Sequence, residues 1–296
     1  MWYALTVGVL AAALTAPQTD KTVAVQRGMR LEVSNYGGEI VVRTWDQDAV
    51  RIQAMHSERD QIDIKSTEST LSVRGRATRG PTHLIDFELT VPAWIKLDLS
   101  GTYTDVSVEG VASEVAVKTV EGEIRVRGGA EFISLKSVEG KVTLEQGRGR
   151  IEVHSVSEAV QIRDCSGEIS ADTVDGDIQL QRIDSDRVDV STVDGDLVYE
   201  GAIHDQGRYR FSSHDGDITV VAPEDVNAAV SVATFDGEFE TTFHAQVTEL
   251  RKGRRFSMTL GSGSARLELE SFDGSIRLQR PGDPREPQQL ESEQEE

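Results

Sequence analysis

Downstream of residue 120, apolar and polar positions alternate in short bursts separated by glycine. After Gly122 come Ile124 and Val126 with Arg125 and Arg127 beside them. After Gly128-Gly129 come Ile133 and Leu135 with Ser134 and Lys136 beside them. The pattern returns with Val142, Leu144, Ile151 and Val153, then with Val160, Ile162, Ile169 and Ala171. Period-two alternation marks strands with one buried face. Each burst is about four to six residues long, the usual length of a strand. The pattern predicts pairs of short strands and gives almost no support to a helix.

One phrase punctuates these pairs: a small hydroxyl residue, an apolar or aromatic one, an acid, then glycine. It reads Thr119-Val120-Glu121-Gly122, Ser137-Val138-Glu139-Gly140, Thr173-Val174-Asp175-Gly176 and Thr192-Val193-Asp194-Gly195. It continues as Ser213-His214-Asp215-Gly216, Thr234-Phe235-Asp236-Gly237 and Ser271-Phe272-Asp273-Gly274, with a degenerate copy at Ser155-Val156-Ser157-Glu158. Positions 122, 140, 158 and 176 are 18 residues apart, and the later steps lengthen to 19, 21 and 21. A fixed period of this size signals a repeat architecture whose units bury their apolar faces against their neighbours.

Stacking the units makes columns about 4.8 Å apart. Ile124, Val142, Val160, Ile178, Leu197, Ile218, Phe239 and Ile276 form one, in chain order. Val126, Leu144, Ile162, Leu180, Tyr199 and Val220 form a second; Ile133, Ile151, Ile169, Val188 and Tyr209 a third, on the returning strand. The hydroxyl residues form a fourth beside the turn. The acid-glycine pair supplies the corner, since it tolerates positive φ and tight reversal. The expected fold is all-β: a single-stranded, β-helix-like β-solenoid of two-stranded rungs spanning 101–280.

Residues 17–100 are also strand-rich but less regular. They read as irregular N-terminal β rungs that cap the stack, with a separate small β-sandwich as the alternative. Capping matters because an exposed end strand invites edge pairing. Residues 1–16 form an apolar run of secretory length, too short for a membrane span. Its N-terminal region lacks Lys and Arg, and Leu14-Thr15-Ala16 only approximates a cleavage site. A signal peptide is expected, which places the mature chain in the periplasm or outside the cell. The tail 281–296 is acidic, proline-rich and nearly free of apolar residues, so disorder is expected there.

The run Gly37-Gly38-Glu39-Ile40-Val41-Val42-Arg43-Thr44-Trp45-Asp46 is followed by Val91-Pro92-Ala93-Trp94-Ile95-Lys96-Leu97. Repeated Val-Glu-Gly-Glu-Ile and Val-Asp-Gly-Asp-Ile units come next. Over about residues 30–280 this resembles the bacterial putative-adhesin family, a domain of unknown function in envelope proteins. The resemblance implies a β-solenoid and an envelope location. It supplies no catalytic residue.

The net charge of −20, spread along the chain, argues against nucleic acid, which needs a basic patch. It also disfavours docking on an anionic membrane, and no segment of the mature chain is expected to span one. Calcium or a cationic partner suits it better. Asp175, Asp177, Asp194, Asp196, Asp215 and Asp217 recur on successive rungs. In register they form a carboxylate ladder whose repulsion is relieved by splaying into water or by calcium, which takes six to eight oxygen ligands. These six are the candidate metal ligands.

The six histidines have no metal-ligand spacing. Ser213-His214-Asp215 invites a triad reading, but adjacent residues do not converge on one reacting atom. Cys165 is the only cysteine, so no internal disulfide forms, and a partly buried structural thiol is expected. Arg125, Arg127, Lys136, Lys141 and Arg163 project outward among acids as a solvated face with cross-strand pairs. Arg251-Lys252-Gly253-Arg254-Arg255 is the one basic cluster in sequence. It lies in the 37-residue step from Gly237 to Gly274, read as a hairpin, or as two rungs with Phe256, Met258 and Leu260 in the middle one.

The function expected from these features is a non-enzymatic, adhesin-like binding or scaffold module of the envelope, facing an envelope protein or a glycan. The alternatives are a structural solenoid that self-associates end to end and a polysaccharide-active β-helix enzyme.

Overall fold

The computed structural model describes residues 19–77, 84–244, 246–251 and 255–283. The apolar run 1–16, the basic residues 252–254 and the tail beyond 283 lie outside the described residues. Every regular element described is a strand. The chain winds as a flattened solenoid: each rung places one strand in each of two facing layers, and apolar side chains fill the space between.

Strand Ile124–Arg127 pairs in parallel with Val142–Glu145, which pairs with Val160–Arg163. The opposite layer stacks Val115–Lys118, Phe132–Lys136, Arg148–His154 and Ser166–Asp172. The long strand Ile178–Asp194 serves both layers. Its first part pairs with Val160–Arg163, its last part with Ser166–Asp172. The registers match Ile124 to Val142, Val142 to Val160 and Val160 to Ile178, so the predicted columns are real ladders. Alternation decides which residues enter: Ile124, Val126, Ile133 and Leu135 are buried, while Arg125, Arg127 and Lys136 face out. Burying one such side chain contributes about 1.5–3 kcal/mol, and every rung supplies several. Tyr199, Tyr209 and Phe211 fill the core where the repeat lengthens. The two tyrosine hydroxyls are matched: Tyr199 donates to the Ala202 carbonyl and Tyr209 to that of Ser185, each at 2.7 Å.

The order of the last rungs departs from chain order. Strand Ile218–Val221 pairs with Ile276–Gln279, and that strand pairs with Phe239–Thr241. In the other layer Arg208–Asp215 pairs with Ala265–Asp273, which pairs with Ala228–Asp236. The column therefore runs Ile218, Ile276, Phe239, correcting the order expected from sequence. The final rung returns into a slot that the chain had passed over. Each rung carries the same phrase, so sequence alone does not distinguish the two orders. The step between Gly237 and Gly274 is a hairpin, not two rungs. Arg255–Leu260 runs antiparallel to Ala228–Asp236, and Gln246–Arg251 runs antiparallel to it in turn.

A similar interleaving marks the other end. Arg30–Trp45 lies beside Lys96–Glu109 across both layers, with Thr70–Ala77 and Asp86–Pro92 on its far side. Ala49–Met55, Thr19–Ala24 and Asp60–Ser66 close this end as antiparallel strands. Antiparallel strands thus flank the parallel stack at both ends, which blunts its edges against continued parallel addition.

Candidate functional site: an apolar corner ridge

Within the corner phrase the hydroxyl residue points in, and at Thr192, Ser213 and Ser271 it donates to the glycine carbonyl of the neighbouring rung. The distances are 3.2 Å from Thr192 to Gly176, 3.3 Å from Ser213 to Gly195 and 3.2 Å from Ser271 to Gly216. The glycine takes φ near +150° and packs on that same carbonyl. A Cβ on Gly195 would lie 2.3 Å from the Gly176 oxygen, and one on Gly216 would lie 2.2 Å from the Gly195 oxygen. Glycine is required here for backbone approach as well as for φ.

The acid after the glycine has a fixed task. Asp177 Oδ1 accepts the Asp196 backbone N–H, Asp196 Oδ1 accepts that of Asp217, and Asp217 Oδ1 accepts that of Ser275, at 2.8–2.9 Å. Asp217 also pairs with Arg277 at 2.7 Å. Three of the six candidate metal ligands therefore form a staircase of carboxylates on backbone N–H groups. The other three, Asp175, Asp194 and Asp215, precede the glycine and are exposed. Among the described residues, no group of three or more His, Cys, Asp or Glu is placed to hold a metal ion.

The second residue of the phrase is the one that sequence reading left without a role. It points out. Val120, Val138, Val156, Val174, Val193, Phe235 and Phe272 are all about 40–60% exposed. Corner registers Glu121–Glu139, Asp175–Asp194, Asp194–Asp215, Asp215–Asp273 and Asp273–Asp236 bring them into one line. His214 continues the line and stacks on Phe272 at 4.9 Å. Phe272 stacks on Phe235 at 4.7 Å with the rings 5° from parallel. At the other end Tyr36 and Tyr103 meet edge to face at 5.5 Å, with Leu84 against Gly37 beside them. Among the described residues, Met55 and Phe132 are the exposed large hydrophobics that lie elsewhere. The result is one ridge, valine in the middle and aromatic at both ends, flanked along its length by the exposed acids. Contiguous apolar surface of this kind marks an interaction site.

At the C-terminal end the ridge opens into a groove of ≈ 680 Å³. Its lining includes Thr192, Ser213, His214, Phe235, Phe272 and the ion pair Arg255–Glu270 at 3.7 Å. The Ser213 hydroxyl is committed to the Gly195 carbonyl inside while His214 lies outside, so these neighbours share no reacting atom. Cys165 is completely buried rather than partly so. It accepts from the Gly147 N–H at 3.3 Å, and burial pushes its thiol up to about 11. It fills the turn column between Gly147 and Ile183, and its high pKa suits a packing role rather than a nucleophile. Of the five outward cations, two pair across strands as expected, Arg127 with Glu109 at 3.7 Å and Arg163 with Glu145 at 3.8 Å. Arg125 pairs instead with Glu123 on its own rung, and Lys136 and Lys141 have no carboxylate within 4.0 Å among the described residues.

A family model for Toastrack DUF4097 matches residues 28–279, and the chain belongs to this family. It is similar in fold to the crystal structure of a putative adhesin from Parabacteroides merdae. The identity is 10% and the TM-score 0.51, over 88% of this chain and 95% of that one. A putative adhesin from Parabacteroides distasonis matches equally, at 10% identity and TM-score 0.51, over 88% and 96%. A putative cell adhesion protein from Clostridium sporogenes aligns over 88% and 99% at 11% identity and TM-score 0.26. No curated protein matches. Among the described residues no helix is long and apolar enough to cross a membrane.

Proposed function

We propose that the chain is a non-enzymatic, adhesin-like binding module of the bacterial envelope, secreted or periplasmic, that holds a protein partner along the corner ridge. The observation that carries this reading is the gathering of exposed apolar side chains into one line from Tyr36 to Phe235. The stacked faces of Phe235, Phe272 and His214 are turned toward one another, which suits a protein surface better than a sugar laid flat on a free ring. The flanking Glu121, Glu139, Asp175, Asp194 and Asp215 favour a partner whose apolar groove is edged with Lys or Arg. They also disfavour two ridges facing each other as a homodimer. The descriptions of the structural neighbours as putative adhesins support the same reading.

The test compares capture from envelope extract by the wild-type chain and by a Phe235→Ser, Phe272→Ser, Val193→Ser variant, each with calcium and with chelator. The reading expects a partner retained by the wild type and lost from the variant while the melting temperature holds. Dependence on calcium would assign metal binding to Asp175, Asp194 and Asp215. Equal capture by both proteins would sink the ridge as the binding surface.

A further inference from the structure

On the outer face of the layer containing Arg208–Asp215, at the end of the strands far from the ridge, the cross-strand charge pattern changes. Earlier rungs pair opposite charges at this end of the strands: Lys96 with Glu114 at 2.7 Å and Arg187 with Glu168 at 3.1 Å. Here the register places Arg187 beside Arg208 and Arg208 beside Arg266. Like charges directly opposite on adjacent strands oppose folding. Arg208, Arg210 and Arg266 are exposed, and none has a carboxylate within 4.0 Å among the described residues. Arg208 and Arg266 also have no acid in register on a neighbouring strand, so in a chain of net charge −20 two guanidiniums are left unmatched beside Arg210. They line a groove of ≈ 400 Å³ together with Ser170, Asp189 and Glu268.

We infer that this arginine row binds a linear polysaccharide carrying a carboxylate on each sugar. A guanidinium presents a planar fork that takes a carboxylate in two parallel hydrogen bonds. Adjacent rungs repeat it every ~4.8 Å, so the site matches a ligand whose charges recur along a line rather than a single ion. The bordering carboxylates narrow the class further. Asp189 and Glu268 sit in register on either side of Arg210. There they accept sugar hydroxyls and repel a broad anionic surface such as a bilayer or a duplex. The site is independent of the ridge, and each fails or stands without the other.

The experiment measures binding of the full chain to polygalacturonate, with neutral dextran as control, at low and high salt. The comparison proteins are an Arg208→Gln, Arg266→Gln variant and an Arg127→Gln variant from the opposite layer. The inference expects saturable, salt-sensitive binding to polygalacturonate alone, at least ten-fold weaker in the double variant and unchanged in Arg127→Gln. It also expects the double variant to melt no lower than wild type, since neutralising the row relieves repulsion. Equal binding by all three proteins, or none by the wild type at low salt, overturns it. Competition by inorganic phosphate at equal charge concentration overturns the extended ligand in favour of a small-anion site. A lower melting temperature in the double variant shows instead that the row supports the fold.

Discussion

A Cβ placed on Gly140 would lie 2.1 Å from the carbonyl oxygen of Gly122, one rung below. The Gly122 N–H donates to the Glu139 carbonyl at 2.9 Å and holds the two corners together, and the Ser137 hydroxyl lies 3.5 Å from the same Gly122 oxygen. Gly140→Ala therefore combines an unfavourable φ of +156° with a collision against backbone. We expect a loss of about 2–3 kcal/mol, read as a lowered urea midpoint. Gly28 has φ +92° and open space within 4 Å of where a Cβ would stand, so Gly28→Ala isolates the φ cost alone, about 1 kcal/mol. Equal losses at the two sites would show that the corner yields and that crowding is not what selects glycine.

The buried hydroxyl column divides into matched and unmatched members. Thr192 Oγ1 donates to the Gly176 carbonyl at 3.2 Å, whereas the Ser155 and Thr234 hydroxyls are buried without a partner among the described residues. Ser155 belongs to the degenerate phrase, where Glu158 replaces the glycine. Thr192→Val should cost about 1 kcal/mol by removing a hydrogen bond, and Thr234→Val should be neutral or stabilising. Denaturant midpoints of the two variants check the contrast. A stabilising Thr192→Val would remove the hydroxyl ladder from the account of the fold.

Cys165 gives the alkaline limb of stability. Its thiol is pushed from about 9 to about 11 by burial, so the folded state holds the proton more tightly. The stabilisation is complete below pH 9 and is lost as pH rises through 11, by roughly 2–3 kcal/mol in total. Burial also raises Tyr199 and Tyr209, which deepens the fall above about pH 10. Urea midpoints from pH 7 to 11 should therefore fall later in Cys165→Ala than in wild type. Coincident curves would contradict the burial effect.

The regular rungs are legible in the sequence because each demands the same thing of its residues. Alternation assigned Ile124 and Val142 to the inside, and the structure pairs them. The ridge was legible too, by the same parity: counting on from buried Val117, Lys118 faces out, Thr119 in and Val120 out. Reading the phrase as a turn hid this, since apolar character suggested burial. The unmatched Arg208 and Arg266 were not legible, because their register depends on which rungs are neighbours. That order is set by the returning hairpin and has no mark in the repeat itself.

The interleaved order has a mechanical consequence. Ala265–Asp273 is the strand that joins Ala228–Asp236 to Arg208–Asp215, and those two strands do not pair with each other. Repeat stability is a sum of nearest-neighbour contacts, so removing this strand removes two interfaces. A chain truncated after Ser264 should leave residues 228–236 present but detached from the stack. Hydrogen exchange should show lost protection at those of their amides that bond toward Ala265–Asp273, the hairpin with Arg255–Leu260 being the pairing left to them, while the amides of 142–145 and 160–163 keep their protection. Detachment would also expose the Arg208–Asp215 edge and promote self-association, visible by light scattering. If 228–236 kept its protection, that strand would have moved into the vacated slot. The order of the last rungs would then be a choice between near-equal pairings, with the return strand deciding it.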